Sequence, residues 1–118
     1  MNYDSNNIFA KILRGDIPNK TVYEDDRVLA FHDIAPKRKI HVVVIPKSAH
    51  TDMSDFCEHA ADEDIIALMR AVPKVAKAAG LSEGGYRVIS NCGTHSGQEV
   101  PHLHLHLLGG EIVGALVD

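Results

Sequence analysis

The run His102-Leu103-His104-Leu105-His106-Leu107 alternates an imidazole with an isobutyl group for six residues. A period of two belongs to a strand, where successive side chains point to opposite faces. The alternation predicts a strand over Val100 to Leu108. Leu103, Leu105 and Leu107 face a core, and His102, His104 and His106 form a row on the other side with neighbours about 7 Å apart. A chain built around such a segment needs a sheet with two unlike faces.

The remaining segments supply one. Asn6 or Asn7 caps a short helix carrying Ile8, Phe9, Ile12 and Leu13, with Gly15 as its stop. Thr21 to Glu24 and Arg27 to His32 read as a hairpin around Asp25-Asp26, and the β-branched run Ile40 to Ile45 as a central strand ended by Pro46. Asp62 to Ala79 reads as the main helix, with Ile65, Leu68, Met69, Val72, Val75 and Ala76 at helical spacing and Gly80 after the last turn. Tyr86 to Cys92 is a further strand. About five strands with hairpin-like links, one main helix and a short N-terminal helix indicate an α+β fold with an antiparallel sheet, and 118 residues with no linker or repeat indicate one domain over 1–118.

A net charge of −4 argues against general affinity for nucleic acid or an anionic membrane. The polar N-terminal stretch Met1 to Asn7 has no apolar leader, and no apolar run approaches the ~20 residues of a membrane span. Cys57 and Cys92 fit no C-x-x-C pattern, so the expectation is a reduced, cytoplasmic protein.

Three readings compete for the histidine row. It is the wet face of an amphipathic strand, or a metal site, or a catalytic centre. As a metal site, His-x-His would take a third ligand from His41, His95 or His32, but the outer two histidines lie about 13–14 Å apart along an extended strand and cannot converge on one ion. The flank favours the third reading. Gly93-Thr94-His95-Ser96-Gly97-Gln98 is a loop whose glycines let backbone N–H groups approach an anion, and imidazoles beside such a loop suit phosphorus chemistry without a cofactor.

At this point the chain resembles the histidine triad (HIT) family. The carrying motif is His102-Leu103-His104-Leu105-His106-Leu107-Leu108. Ile8-Phe9-Ala10-Lys11-Ile12, Glu24-Asp25-Asp26, Ala30 to Pro36, His41 to Lys47 and Gly97-Gln98-Glu99-Val100 follow the family's order along nearly the whole chain. Gly109-Gly110 resembles the Hint branch, the purine nucleoside phosphoramidases, rather than the Fhit-like dinucleoside polyphosphate hydrolases.

The resemblance implies hydrolysis at the α-phosphorus of purine nucleoside phosphoramidates or aminoacyl-adenylates through a nucleotidyl-histidine. The alternatives are a dinucleoside polyphosphate hydrolase and a non-catalytic nucleotide-binding dimer. Carried over, His104 is the nucleophile and His106 contacts the phosphate and helps protonate the leaving amine, with His102 and His41 as a supporting pair. Asn91 and the backbone of Gly97 and Glu99 hold the phosphate, with Gln98 nearby. Asp33 binds the ribose, and Ile8, Phe9, Ile12, Phe31, Ile34 and His32 line the purine slot. Two departures stand out. Glu99 occupies a position that is serine in animal Hint proteins, and the tail Glu111 to Asp118 lacks their tryptophan.

A homodimer is also expected. The main helix has apolar residues on more than one side, including Ile66, Val72 and Pro73, and the strand near Tyr86 to Cys92 lacks edge protection. The resemblance implies pairing through that helix and strand.

Overall fold

The computed structural model describes residues 2–117. Met1 of the polar N-terminal stretch and Asp118 of the tail lie outside them. In chain order the elements are α1 (Ile8–Leu13), β1 (Thr21–Glu24), β2 (Val28–His32), β3 (Ile40–Pro46), α2 (Met53–His59), α3 (Asp62–Ala78), β4 (Tyr86–Ile89), a 3-10 turn over Thr94–Ser96, and β5 (Leu105–Gly109). The five strands form one antiparallel sheet in the order β1-β2-β3-β5-β4. The α+β class and the sheet are as the sequence predicts.

Register separates the two faces. Val42 pairs with Leu107 and Val44 with Leu105, so these side chains share a face. That face packs with Val28, Ala30, Phe56 of α2, and Leu68, Ala71, Val75 and Ala76 of α3 in a core from which water is excluded. Val43 pairs with both Phe31 and His106, placing them on the opposite face. There Leu29, Phe31, Val43 and Ile45 pack with Ile12 and Phe9 of α1. The side chain of Asn7 caps α1 by accepting the Ala10 N–H at 2.9 Å, and Gly15 follows with φ +83°.

Two strands are shorter than the sequence suggests. β5 starts at Leu105, not Val100, and β4 ends at Ile89, not Cys92. Pro46, the last residue of β3, has no N–H to donate, so the β3–β5 ladder runs out before His104. The residues before β5 are held otherwise. The Leu103 N–H donates to the His50 carbonyl at 2.9 Å. A third helix, α2, lies in a stretch that periodicity leaves blank. Its signal is a cap: the Asp52 side chain accepts the Asp55 N–H at 2.8 Å.

The double glycine after the triad has a steric cause. A Cβ on Gly109 would lie 2.6 Å from Leu81 Cδ2 and 3.1 Å from the Gly85 carbonyl oxygen, and Gly110 has φ +78°. The strand leaves the sheet where only hydrogen fits.

Candidate active site

β3 contributes His41 and β5 contributes His106, both on the face shared with Val43. His41 Nε2 and His106 Nδ1 are 2.8 Å apart, and the His104 and His106 ring centroids are 5.0 Å apart. His102 is fully buried, and His41 and His104 are buried as well. The row is therefore not a wet face.

Hydrogen-bond partners settle which nitrogen of each ring carries the proton. The Lys37 backbone N–H donates to His41 Nδ1 at 3.0 Å. A neutral His41 must then be protonated at Nε2, where it donates to His106 Nδ1. That leaves the His106 proton on Nε2. His104 is set the opposite way: its Nδ1–H donates to the His102 carbonyl at 2.7 Å, so its Nε2 is an unprotonated lone pair. His102 Nε2–H donates to the Pro46 carbonyl at 2.9 Å, and its Nδ1 accepts the Tyr3 hydroxyl. Adjacent rings thus present a base nitrogen, on His104, and an N–H donor, on His106.

Burial keeps the rings neutral. Desolvation pushes the pKa of His102 down to about 4. It does the same for His106, where the neighbouring His104 and His41 add to the shift. His104 and His41 are also lowered by burial, against an opposing pull from Asp33.

Asp33 sits at the edge of this array. Its backbone N–H donates to the His41 carbonyl at 2.9 Å. One carboxylate oxygen accepts the Ala35 N–H at 2.8 Å, and the other lies 3.4 Å from His41 Nε2. Asp33, His41 and His106 bring potential ligand atoms within 4.8 Å of one another. With Nδ1 occupied by the Lys37 N–H, however, His41 turns a proton rather than a lone pair toward the other two. The trio reads as a hydrogen-bond relay. His95 and His32 join no such cluster among the described residues.

Beside the histidines runs an apolar groove of about 680 Å³. It is lined by Ile8, Phe9, Ile12, Phe31, His32, Asp33 and Ile34, and also by Ile17, Pro18, Asn19 and Lys20. Phe9 links the two parts, its ring packing edge-on against His104 at 4.9 Å. Ile34 is almost fully exposed and forms an open wall.

The loop before β5 is braced by Gln98. Its carboxamide oxygen accepts the Gly93 N–H, and its NH2 donates to the carbonyls of Thr51 and Val100. Gln98 is thus spent on shaping the loop. The Gly97 N–H donates to Thr94 within the turn. The Glu99 N–H has no protein partner among the described residues, and the Glu99 side chain is exposed. Asn91 lies two residues beyond the end of β4 and is partly buried. Tyr3, the Lys37 N–H and the Pro46 carbonyl were not legible as site groups. Each acts from a segment distant in sequence and carries no periodic signal.

An antiparallel α+β sheet that gathers four hydrogen-bonded histidines, three of them buried, opposite its main helical layer defines a histidine triad protein. The chain matches the HIT domain over residues 14–112 and belongs to that family. It is 52% identical over 115 residues to an uncharacterized 13.2 kDa HIT-like protein of Azospirillum brasilense, covering 98% of this chain and 94% of the relative. It is 40% identical over 111 residues to the purine nucleoside phosphoramidase of Escherichia coli K12, covering 93% and 92% respectively. Among solved structures, a histidine triad protein from Clostridium difficile superposes with a TM-score of 0.85 at 41% identity, covering 98% of both chains. A HIT family hydrolase from Legionella pneumophila gives 0.79 at 42%, covering 90% of this chain and 94% of that one.

Proposed function

We propose that the protein, acting as one domain over 1–118, hydrolyses the P–N or acyl-phosphate bond at the α-phosphorus of purine nucleoside phosphoramidates or aminoacyl-adenylates. Family membership supports a nucleotide hydrolase in general, and the similarity to a purine nucleoside phosphoramidase supports the finer reading. The observation that carries it is the opposed protonation of adjacent rings, His104 with a free Nε2 and His106 with an Nε2–H.

In the proposed reaction the His104 Nε2 lone pair attacks phosphorus, and its Nδ1–H, held by the His102 carbonyl, supports the imidazolium that forms. The His106 Nε2–H donates a hydrogen bond to the leaving nitrogen, which takes up a proton from solvent as the P–N bond breaks. Water then attacks phosphorus, the bond to His104 breaks, and nucleoside monophosphate leaves. His102 and His41 fix the two tautomers. Asp33 accepts hydrogen bonds from the ribose hydroxyls, and Asn91 with the backbone of Gly97 and Glu99 steadies the phosphate. Phe9, Ile12 and Phe31 take one side of the purine, with Ile8, His32 and Ile34 around it. No metal or cofactor takes part in this scheme, so a chelator should leave turnover unchanged.

The test is trapping with a slow nucleoside phosphoramidate followed by peptide mass spectrometry. The adduct belongs on His104, and an adduct on another side chain would overturn the assignment. Faster turnover of diadenosine polyphosphate than of adenosine phosphoramidate would overturn the substrate class.

We propose further that the working unit is a homodimer. Ile66 and Met69 on the outer side of α3 are about half exposed, as is Val88 on the edge strand β4. A two-fold interface would cover all three at once. Light scattering at micromolar protein should give twice the chain mass; a fully active monomer would refute it. The compartment proposed is the cytoplasm, and no helix among the described residues is long and apolar enough to cross a membrane.

A further inference from the structure

The groove has two unlike ends. Its strands run in the order β5, β3, β2, β1 from the histidines outward, three steps of about 4.8 Å, or about 14 Å in all. His106 stands on β5, Asp33 follows β2, and Ile17 to Lys20 lead into β1. This last segment is tied to β2 where the His32 N–H donates to the Lys20 carbonyl at 3.1 Å. A nucleotide with its phosphorus at His104 and its sugar at Asp33 therefore puts the outer edge of its base against residues 17–20. This inference rests on the substrate reading above and names the base.

At that end the walls are apolar except for Asn19 and Lys20. The Asn19 carboxamide oxygen is already engaged, accepting the Thr21 hydroxyl at 2.7 Å. With its oxygen turned to Thr21, the Asn19 group that has no partner among the described residues is its NH2, a donor, and Lys20 has only donors to offer. His32 can donate or accept and imposes no preference. We propose that Asn19 is a specificity-determining residue that selects purines with an acceptor at the 6-position, such as guanine and hypoxanthine, over adenine. A 6-oxo group accepts from the Asn19 NH2, whereas a 6-amino group meets it donor to donor. One neutral hydrogen bond at a half-open site corresponds to a preference of about five- to tenfold.

Asn19 lies in a loop and is only partly buried, so its variants should fold. Binding of GMP, IMP and AMP is measured by calorimetry, alongside hydrolysis of the matching phosphoramidates, for wild type, Asn19→Ala and Asn19→Asp. The expected result is GMP and IMP binding five- to tenfold tighter than AMP in the wild type. The preference should shrink toward unity in Asn19→Ala and invert in Asn19→Asp, whose carboxylate accepts from a 6-amino group. If the monophosphates bind and the phosphoramidates are cleaved but the ratio is the same in all three proteins, the Asn19 assignment falls and the substrate reading stands. A wild type that binds none of the monophosphates overturns both.

Discussion

The two faces of the triad segment are closed off by unlike means, the leucine side completely and the histidine side except at the partly buried His106. Leu103, Leu105 and Leu107 are at most 2% exposed, and so is His102, with His104 at 6%. On the leucine side burial is stabilised by dispersion and water exclusion, which tolerate any apolar group of similar volume. On the histidine side each ring is held by a directed bond to a backbone or side-chain group: the His102 and Pro46 carbonyls, the Lys37 N–H and the Tyr3 hydroxyl. One face specifies a shape, and the other specifies proton positions. Loss of chemistry should therefore be confined to the histidine face, and the leucine face should register in stability alone.

The widest separation is expected from His104→Ala against Leu107→Ala. Removing the nucleophile should lower kcat/KM by about three orders of magnitude or more, with little change in the melting temperature. Leu107→Ala leaves a cavity in a closed core and should cost about 2–5 kcal/mol, while the folded fraction keeps its kcat. Activity assays paired with thermal melts check both. A His104→Ala protein that keeps most of its activity would erase the contrast.

Acid comes next. The His102 pKa is near 4 in the folded chain and 6.5 when unfolded, so between those values the unfolded chain binds more protons. The His102 contribution should be flat above pH 6.5, fall as pH drops through that window, and level off below 4. The loss from His102 alone should be about 3 kcal/mol. Denaturant titrations from pH 4 to 8 measure it, and His102→Gln, which can keep both hydrogen bonds but cannot titrate, should reduce the slope by that amount and leave the share of His106. The smallest effect belongs to Tyr3→Phe. It strips the partner from His102 Nδ1 and should cost about 1–3 kcal/mol, with Leu-face variants unaffected by it in double-mutant cycles.

The leucine face was the more legible one. Period-two spacing and the β-branched run Ile40 to Ile45 report a buried strand directly, because burial by dispersion leaves its mark on composition. The helices α1 and α3 announced themselves through Asn7, Gly15 and Gly80. What escaped is what depends on backbone groups. The early end of the ladder follows from Pro46, which has no N–H to offer the next position of β5, and the tautomers follow from Lys37 and Pro46, whose side chains take no part. The pairing of His41 with His106, rather than with His102, comes from sheet register, which a single strand's spacing does not contain. Gln98, which the resemblance puts near the phosphate, braces its loop from within through contacts that spacing does not show.

The tail sharpens the same comparison on a smaller scale. Arg38 donates to the Val113 carbonyl, and Arg87 donates to those of Gly114 and Ala115. The path of the chain is fixed through its backbone while Ile112, Leu116 and Val117 stay exposed. Deleting residues 112–118 should alter leaving-group preference more than nucleotide affinity, which a panel of amines on one nucleoside phosphoramidate would register.

The central claim is that adjacent imidazoles are locked in opposite tautomers before substrate arrives. Long-range 15N–1H correlation spectra of the histidine rings at pH 7 read this directly. His104 should be protonated at Nδ1 with a bare Nε2, and His106 protonated at Nε2 with a bare Nδ1. A proton on His104 Nε2, or rapid exchange between the two forms of either ring, would contradict it.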